Sequence, residues 1–197
     1  MAAPRLLLIR HTAPAIAPGL CYGRLDVAAR PDALAAWLRV WDATGHPHQP
    51  WRGYARLLSS PAARCQVLAQ ALATRLALPL EASPAWQEMD FGAWEGRAWD
   101  AIGRRAVDAW AADPVRHAPG GGESALDMMR RVATAYEAWR GQGRDAILVC
   151  HGGVIRLLQA WCVLRPEGSA FGPPDLSRAC AHALALSAPP PGGLVLL

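Results

Sequence analysis

The sequence predicts an α/β fold in which a mostly parallel β-sheet is covered by helices on both faces, giving a three-layer sandwich. Short apolar runs alternate with longer segments of helical periodicity, which is the pattern of such folds. Two of these runs end in a histidine, and open parallel sheets bind their ligands at the carboxyl ends of strands. A chain of 197 residues that is 52% hydrophobic can bury a sizeable core. We therefore expect one domain over residues 1–197.

The expected strands are short apolar runs of the length usual for buried strands. They are Leu6–Arg10, Ala55–Ser59, Ala146–Cys150, Ala183–Ser187 and Leu194–Leu197. The segments 12–29, 45–54, 82–97, 114–123 and 189–193 are expected to be loops. Long loops in a small domain usually carry function.

Five helices are expected between these strands, and their predicted starts are Pro31, Ser60-Pro61, Trp99, Ser124 and Gly153. Ser60 would be an N-cap with Pro61 at the first helical position, and Ser124 would cap its helix with Asp127 three residues on. The third helix is expected to continue through Trp110. Most tryptophans lie in these apolar stripes and are interpreted as core residues.

Composition excludes several kinds of chemistry. All 20 basic residues are arginine, so a Schiff-base lysine and a Walker-type phosphate loop are excluded, and no asparagine is present to act as a ligand. The net charge of +4 suits small anionic ligands. It provides no basic stripe of the kind that binds nucleic acid.

Cysteine usage predicts a reducing cytoplasm. The five cysteines form no CxxC pair, so neither disulfides nor a zinc site are indicated. Segments His46-Pro47-His48 and Cys180-Ala181-His182 lack the spacing of a metal site. No apolar run is long enough for a signal peptide or a membrane span. We expect no metal, no cofactor, no membrane contact, and a monomer or homodimer.

Two strand ends carry the first candidate functional groups. Leu6–Arg10 runs into His11, and Ala146–Cys150 runs into His151, which is followed by two glycines. In a parallel sheet both histidines would lie at the same edge.

Two further segments carry groups suited to phosphate chemistry. At Ser59-Ser60-Pro61 a strand runs into a helix start, whose free N–H groups favour an anion, and Arg64 follows in the first turn. The segment 88–96 places the carboxyl groups of Glu88, Asp90 and Glu95 among apolar residues. Partial dehydration beside aromatic rings favours the protonated form that a general acid needs.

Taken together and in their order along the chain, these segments resemble those of the histidine phosphatases with the phosphoglycerate-mutase-like fold. The matching segments are Arg10-His11-Thr12, Ser59-Ser60-Pro61 with Arg64, Glu88 to Gly96, Gly120-Gly121-Gly122-Glu123-Ser124 and His151-Gly152-Gly153. The resemblance covers nearly the whole chain. It implies a metal-independent phosphomonoester hydrolase that acts on a small phosphorylated metabolite.

The resemblance also implies residue roles. His11 would be the nucleophile that forms a phosphohistidine, and neutral imidazole is competent for this near pH 7. Arg10, Arg64 and His151 would surround the phosphoryl oxygens, with the Gly152 backbone N–H as a further donor.

The same resemblance assigns the proton transfer to Glu88, which would protonate the leaving oxygen and then activate water. Glu88 is preferred to Asp90 and Glu95 because its offset from the Gly and Trp later in the segment matches the family loop. The residues expected to line the leaving-group side are Tyr22, Gly23 and Arg24.

A narrower resemblance points to α-ribazole-phosphate phosphatases of cobalamin biosynthesis. It rests on Arg10-His11-Thr12 and the segment from Gly19 to Val27. The chain departs from that pattern with Ala28-Ala29 in place of Pro-Leu and with no asparagine after the nucleophile. The Gly23 backbone or Arg24 would then supply the missing donor.

Other functions stay open from the sequence alone. Cys150 and Arg156 match the C-x5-R pattern of cysteine-dependent phosphatases. The same fold could serve a phosphoglycerate-mutase-type enzyme, a broad-specificity sugar-phosphate phosphatase or a non-catalytic phosphate-binding domain.

Overall fold

The computed structural model describes residues 3–43, 53–164 and 175–197. Within these ranges five strands form one sheet in the order β3-β2-β4-β1-β5. The strands are Leu6–Arg10 (β1), Arg56–Ser59 (β2), Leu80–Ala82 (β3), Ala146–Cys150 (β4) and Leu194–Leu196 (β5). Strands β3, β2, β4 and β1 are parallel to one another, and β5 is antiparallel to β1. The predicted α/β class is confirmed.

Helices cover both faces of the sheet. They are Pro31–Ala43 (α1), Ala63–Leu76 (α2), Trp99–Ile102 (α3), Arg104–Ala112 (α4), Ala125–Arg140 (α5), Gly152–Leu164 (α6) and Leu176–Ala185 (α7). Alternate strand side chains point to opposite faces. Leu7 and Ile9 therefore pack into the core that contains residues of α1 and α2, whereas Leu6 and Leu8 pack into the core that contains residues of α5, α6 and α7.

The strand register brings the two predicted histidines together. Arg10 lies opposite Cys150 in the parallel pair of β1 and β4, so His11 and His151 leave the sheet side by side. The His11 backbone N–H donates to the Cys150 carbonyl at 3.0 Å, and the two imidazole ring centres are 5.2 Å apart. The end of β2 lies beside β4, and places Ser60 at the same edge.

The expected strand over 183–187 is wrong, because most of this segment belongs to α7. The Asp175 side chain caps that helix by accepting from the Arg178 backbone N–H. Ala179, Cys180 and Ala183 are buried on one helical face in the core shared with α5 and α6. The short edge strand β3, which pairs with β2, was not expected.

The start of α2 also differs from the prediction. This helix begins at Ala63, and its first N–H donates to the Asp26 side chain at 2.8 Å. Ser60 does not cap the helix, because Ala62 occupies the N-cap position; the Ser60 hydroxyl accepts from the Ala62 N–H at 3.3 Å and contacts His151 at 2.8 Å. The start at Ser124 is confirmed, since its hydroxyl accepts from the Asp127 N–H.

The helix expected from Trp99 to Trp110 is divided into α3 and α4. Gly103 interrupts it with a φ of 93°, a backbone conformation that favours glycine. Around this break the side chains of Cys21, Trp94 and Ile102 form a third apolar cluster, against which Phe91 and Trp110 pack. This cluster lies outside the two cores of the sheet. No helix within the described ranges is long and apolar enough to cross a membrane.

Candidate active site

A cavity of about 320 Å³ opens at the carboxyl edge of the sheet. Its polar lining residues are Arg10, His11, Tyr22, Arg64, Glu88, His151 and Arg156. Apolar and aromatic residues form the rest of the wall, and they include Met89, Phe91, Trp110, Met128, Leu157 and Leu184. The five predicted catalytic residues therefore share one cavity, although they come from separate parts of the chain.

His11 is held as a neutral imidazole. Its side chain is 2% exposed, and its Nδ1 lies 2.7 Å from the Thr12 carbonyl oxygen. A carbonyl can only accept, so Nδ1 carries the proton and Nε2 carries the lone pair. Burial, together with the nearby charges of Arg64 and Arg10, lowers the pKa of His11 to about 3, despite the opposing effect of the Thr12 hydrogen bond. His11 is therefore a neutral imidazole at neutral pH, with an unprotonated Nε2.

Arg64 is a fully buried cation. Its Nη atoms donate to the carbonyls of Leu25 and Gly23, at 2.9 and 2.5 Å. The guanidinium carbon lies 5.5 Å from the centre of the Tyr22 ring. Nε is buried without a hydrogen-bond partner. Among the described residues no carboxylate pairs with Arg64. A buried guanidinium held by neutral carbonyls is suited to an anionic ligand.

Arg10 supplies a second cation beside His11. Its Nη1 donates to the Pro189 carbonyl at 2.7 Å, and its Nε is buried without a partner. The guanidinium lies against Gly152, where an added Cβ would be 3.3 Å from the Arg10 Cζ. Gly152 thus allows Arg10 to approach the start of α6. Gly152 itself does not line the cavity.

His151, like Arg64, is fully buried. Its Nε2 is 2.8 Å from the Ser60 hydroxyl and 3.6 Å from the Cys65 sulfur. Burial and the charges of Arg64, His11 and Arg10 lower the pKa of His151 well below its usual value. Both imidazoles of the site are therefore neutral in the free protein.

The Glu88 carboxylate reaches the first turn of α6. Its Oε2 accepts from the Gly153 backbone N–H at 3.0 Å, and Oε1 accepts from the Met89 N–H at 3.2 Å. Arg131 holds the backbone of this segment through the carbonyls of Ala85 and Gln87, both at 2.9 Å. Glu88 is therefore a fixed carboxyl group in the wall of the cavity that His11 also lines.

Glu95, one of the alternatives for the acid, has a different role. Its carboxylate accepts from the backbone N–H groups of Gly23, Arg24, Leu25 and Phe91, at distances from 2.8 to 3.1 Å. The same Gly23 and Leu25 supply the carbonyls that receive Arg64. Glu95 thus fixes the loop that positions Arg64.

The structure gives Gly23 and Arg24 a part in this scaffold. Their N–H groups are directed to Glu95, and the Arg24 guanidinium lies 3.4 Å from both Asp90 and Glu123. Neither residue lines the cavity, whereas the neighbouring Tyr22 does. The backbone N–H groups of Gly23 and Arg24 are thus used by Glu95 in this conformation.

Cys150 is not arranged as a nucleophile. Its side chain is fully buried in the core, and it does not line the cavity. Burial raises the pKa of the thiol well above its usual value, so the reactive thiolate is disfavoured. The geometry thus argues against the cysteine-dependent alternative.

The metal alternative gains no support. His46 and His48 lie outside the described residues. In the ranges that are described, no group of three or more histidine, cysteine or acidic side chains could hold a metal ion.

Sequence reasoning considered Arg156 only as the arginine of the C-x5-R alternative, whereas the structure places it in the wall of the cavity, on α6. It lies three residues after Gly153, so helical spacing places both on one face. That spacing could have identified it. The bidentate pair of Arg131 with Glu123, at 2.8 and 2.9 Å, was also missed, because it depends on contacts between the loop and α5.

The fold and the site therefore combine two neutral histidines and several arginines in one cavity at the carboxyl edge of a mostly parallel sheet. The sequence model of the histidine phosphatase superfamily (branch 1) matches residues 6–185. The chain therefore belongs to the histidine phosphatase superfamily.

Two curated relatives illustrate its similarities. Glucosyl-3-phosphoglycerate phosphatase of Mycolicibacterium vanbaalenii is 33% identical over 135 residues, which are 58% of this chain and 60% of the relative. A bifunctional protein of Mycobacterium tuberculosis is 32% identical over 158 residues, 78% of this chain. The match covers 40% of the bifunctional protein, so this chain spans under two thirds of either relative.

Solved structures agree in fold. A mycobacterial glucosyl-3-phosphoglycerate phosphatase with inorganic phosphate has a TM-score of 0.72 at 25% identity, covering 99% of this chain and 89% of that one. An α-ribazole phosphatase from Shigella flexneri has a TM-score of 0.74 at 24% identity, covering 98% and 89%.

Proposed function

We propose that the chain is a metal-independent phosphomonoesterase that works through a phosphohistidine at His11. One observation carries the proposal: the unprotonated Nε2 of His11 lies in a cavity with two guanidiniums that have no carboxylate partner among the described residues. Phosphoryl transfer needs mainly positioning and charge compensation. The free cations of Arg10 and Arg64 meet that need.

In the first step, Nε2 of His11 attacks phosphorus and forms a P–N bond while the P–O bond to the alcohol breaks. Glu88, when protonated, gives its proton to the departing alkoxide. In the second step, Glu88 takes a proton from water, which attacks phosphorus and breaks the P–N bond. Inorganic phosphate and a free alcohol result, and Glu88 is protonated again.

Arg10, Arg64 and His151 would contact the phosphoryl oxygens. Arg64 is already oriented by two carbonyls and His151 by Ser60, so little side-chain freedom is lost when the anion binds. The dianionic phosphoryl group would balance the two guanidiniums.

The first substrate that we propose is α-ribazole 5′-phosphate, which would place the enzyme in cobalamin biosynthesis. Support comes from the segment 19–27 and from the aromatic wall of the cavity, which includes Phe91 and Trp110 and suits a planar base. Tyr22 is the residue of that segment that reaches the cavity.

A phosphoglycerate ester is the second candidate. The observation that favours it is Arg156, a further cation in the cavity, since glycerate carries a carboxylate. The relative that is 33% identical bears the name of such a substrate. A comparison of kcat/KM for α-ribazole 5′-phosphate, glucosyl-3-phosphoglycerate, 3-phosphoglycerate and simple sugar phosphates ranks these classes.

The experiment that tests the proposal compares wild type, His11→Ala and the matched control His117→Ala in buffer with EDTA. We expect wild type and His117→Ala to hydrolyse phenyl phosphate, and His11→Ala to be inactive. Acid-labile, base-stable phosphate should be trapped on wild type and not on His11→Ala.

Three outcomes would overturn the proposal in favour of a named alternative. Activity that survives His11→Ala but is lost with Cys150→Ser indicates the cysteine mechanism. Binding of phosphate with no turnover indicates a binding domain. Isomerisation of 3-phosphoglycerate in place of phosphate release indicates a mutase.

A further inference from the structure

We propose that Arg156 binds a second anionic group on the leaving alcohol. The cavity would then select phosphomonoesters whose alcohol carries a carboxylate or another phosphate. This inference rests on the proposed function, because it takes Glu88 as the group that marks the leaving oxygen.

Arg156 lies one helical turn beyond the acid. Gly153, whose N–H holds the Glu88 carboxylate at 3.0 Å, and Arg156 are three residues apart on α6. Residues with this spacing are neighbours on one face, with a rise of about 4.5 Å between them. Both line the cavity. A group that leaves from Glu88 and extends along α6 therefore meets the Arg156 side chain.

Arg156 has no partner of its own among the described residues. Its Nε is buried without a hydrogen bond, and no carboxylate pairs with its guanidinium. Two other partly buried arginines differ in having carboxylates beside their guanidiniums, because Arg131 is paired with Glu123 and Arg24 lies near Asp90 and Glu123. A buried donor without an acceptor is unfavourable, so a ligand acceptor would be bound preferentially.

The surroundings strengthen such a contact. Leu157, Met128 and Leu184 give the same cavity an apolar wall, beside which a charge interaction is screened less than in bulk water. Glu88 is the one carboxyl group among the described lining residues, and it is held by backbone N–H groups. An anionic substituent therefore meets an unneutralised cation in an apolar setting.

The charge of Arg156 is also not needed to balance the phosphoryl group. Arg10 and Arg64 already provide two positive charges beside His11, enough for a phosphoryl dianion. A third guanidinium in the same cavity is explained by a second anionic group. A phosphoglycerate-type ester, the second candidate above, carries such a group, whereas the alcohol of α-ribazole is neutral.

The test measures binding of three non-hydrolysable probes by calorimetry: phenylphosphonate, 4-carboxyphenylphosphonate and 1,4-phenylenediphosphonate. Wild type should bind at least one of the doubly anionic probes about tenfold more tightly than phenylphosphonate. The doubly anionic probe with the larger increase in affinity over phenylphosphonate shows whether carboxylate or phosphate is the preferred group. Arg156→Gln should lose this preference while keeping the affinity for phenylphosphonate, and Arg156→Lys should restore part of it.

The matched control is Arg39→Gln, an exposed arginine on α1 that should behave as wild type. Equal wild-type affinities for all three probes, or an unchanged preference in Arg156→Gln, would overturn the inference. Turnover of the corresponding phosphate esters separates the two proposals. An Arg156-dependent preference without any hydrolysis contradicts the proposed function alone, whereas hydrolysis of all esters at equal kcat/KM contradicts the Arg156 assignment alone.

Discussion

The carboxylate of Glu88 and the backbone N–H of Gly153 are joined by a hydrogen bond of 3.0 Å. This bond ties the candidate acid to the helix that begins directly after His151. A Cβ added to Gly153 would lie 2.1 Å from Glu88 Oε1, so the close approach requires glycine. The two glycines after His151 thus have separate uses, since Gly152 makes room for Arg10 and Gly153 for Glu88.

Gly153→Ala should therefore displace the acid without removing it. We expect kcat for phenyl phosphate to fall about 10- to 100-fold with a small change in KM, because the misplaced carboxyl group weakens the transition state more than binding. Steady-state kinetics measure this. Gly141→Ala is the control, since Gly141 has ordinary helical angles at the end of α5. A Gly153→Ala enzyme with wild-type kcat would show that the Glu88 position is unimportant.

Glu88→Gln should reveal the acid through its dependence on the leaving group. For phenyl phosphate the rate should fall by about 10²–10⁴, because the phenolate then departs without a proton. For 2,4-dinitrophenyl phosphate the formation of the phosphohistidine needs no acid, so the burst of dinitrophenol should stay near the wild-type rate. Rapid-mixing absorbance measurements distinguish the two. Equal losses for both esters would contradict the assignment of Glu88 as proton donor.

Glu95→Gln should act through the loop it anchors. Four backbone N–H groups donate to this carboxylate, and two of those residues also hold Arg64. Hydrogen bonds to a charged group contribute about 1.5–3 kcal/mol each, so even partial loss should lower the free energy of unfolding by about 2 kcal/mol. The affinity for inorganic phosphate should fall as well.

Chemical denaturation and phosphate titration of Glu95→Gln check both effects. Glu81→Gln is the matched control, because Glu81 is an exposed carboxylate on the edge strand β3. If Glu95→Gln lost activity as completely as Glu88→Gln while keeping its stability, Glu95 would be the acid and the assignment would be reversed.

The central part of the site could be predicted from the sequence because it depends on the strand pattern. Buried runs such as Leu6–Arg10 are recognisable from a few residues, and parallel strands bring the residues at their carboxyl ends to one edge of the sheet. The juxtaposition of His11 and His151 needs nothing more. The approach of Arg64 has the same origin, because it belongs to the helix after β2.

The role of Glu95 and the helix α7 were missed because they depend on contacts distant in sequence. Glu95 and Gly23 are 72 positions apart, and no local pattern distinguishes a carboxylate that binds backbone N–H groups from one that serves as an acid. The segment 183–187 alternates Ala and Leu as a strand would. It begins as helix because α5 and α6 provide an apolar partner for one face of α7. Tertiary packing thus overrode the local period.

The two neutral imidazoles make the stability of the free protein depend on pH. The pKa of His11 is lowered to about 3 by burial and that of His151 is also well below normal, whereas both would be near 6.5 in the unfolded chain. Below about pH 6.5 the unfolded chain therefore binds protons that the folded protein does not. The free energy of unfolding should fall as pH decreases from 6.5 towards 4, by up to about 1.4 kcal/mol per pH unit for each histidine.

His11→Asn isolates the contribution of one imidazole, because the asparagine amide can still donate to the Thr12 carbonyl. Urea unfolding between pH 4 and 7.5 should give a shallower slope for this variant than for wild type, and the two curves should run parallel above pH 7. His117→Asn, which changes a histidine outside the cavity, is the control. If wild type and His11→Asn had the same slope, the folded protein would bind a proton at His11 in this range, and the imidazole would not be the neutral nucleophile that the proposed mechanism requires.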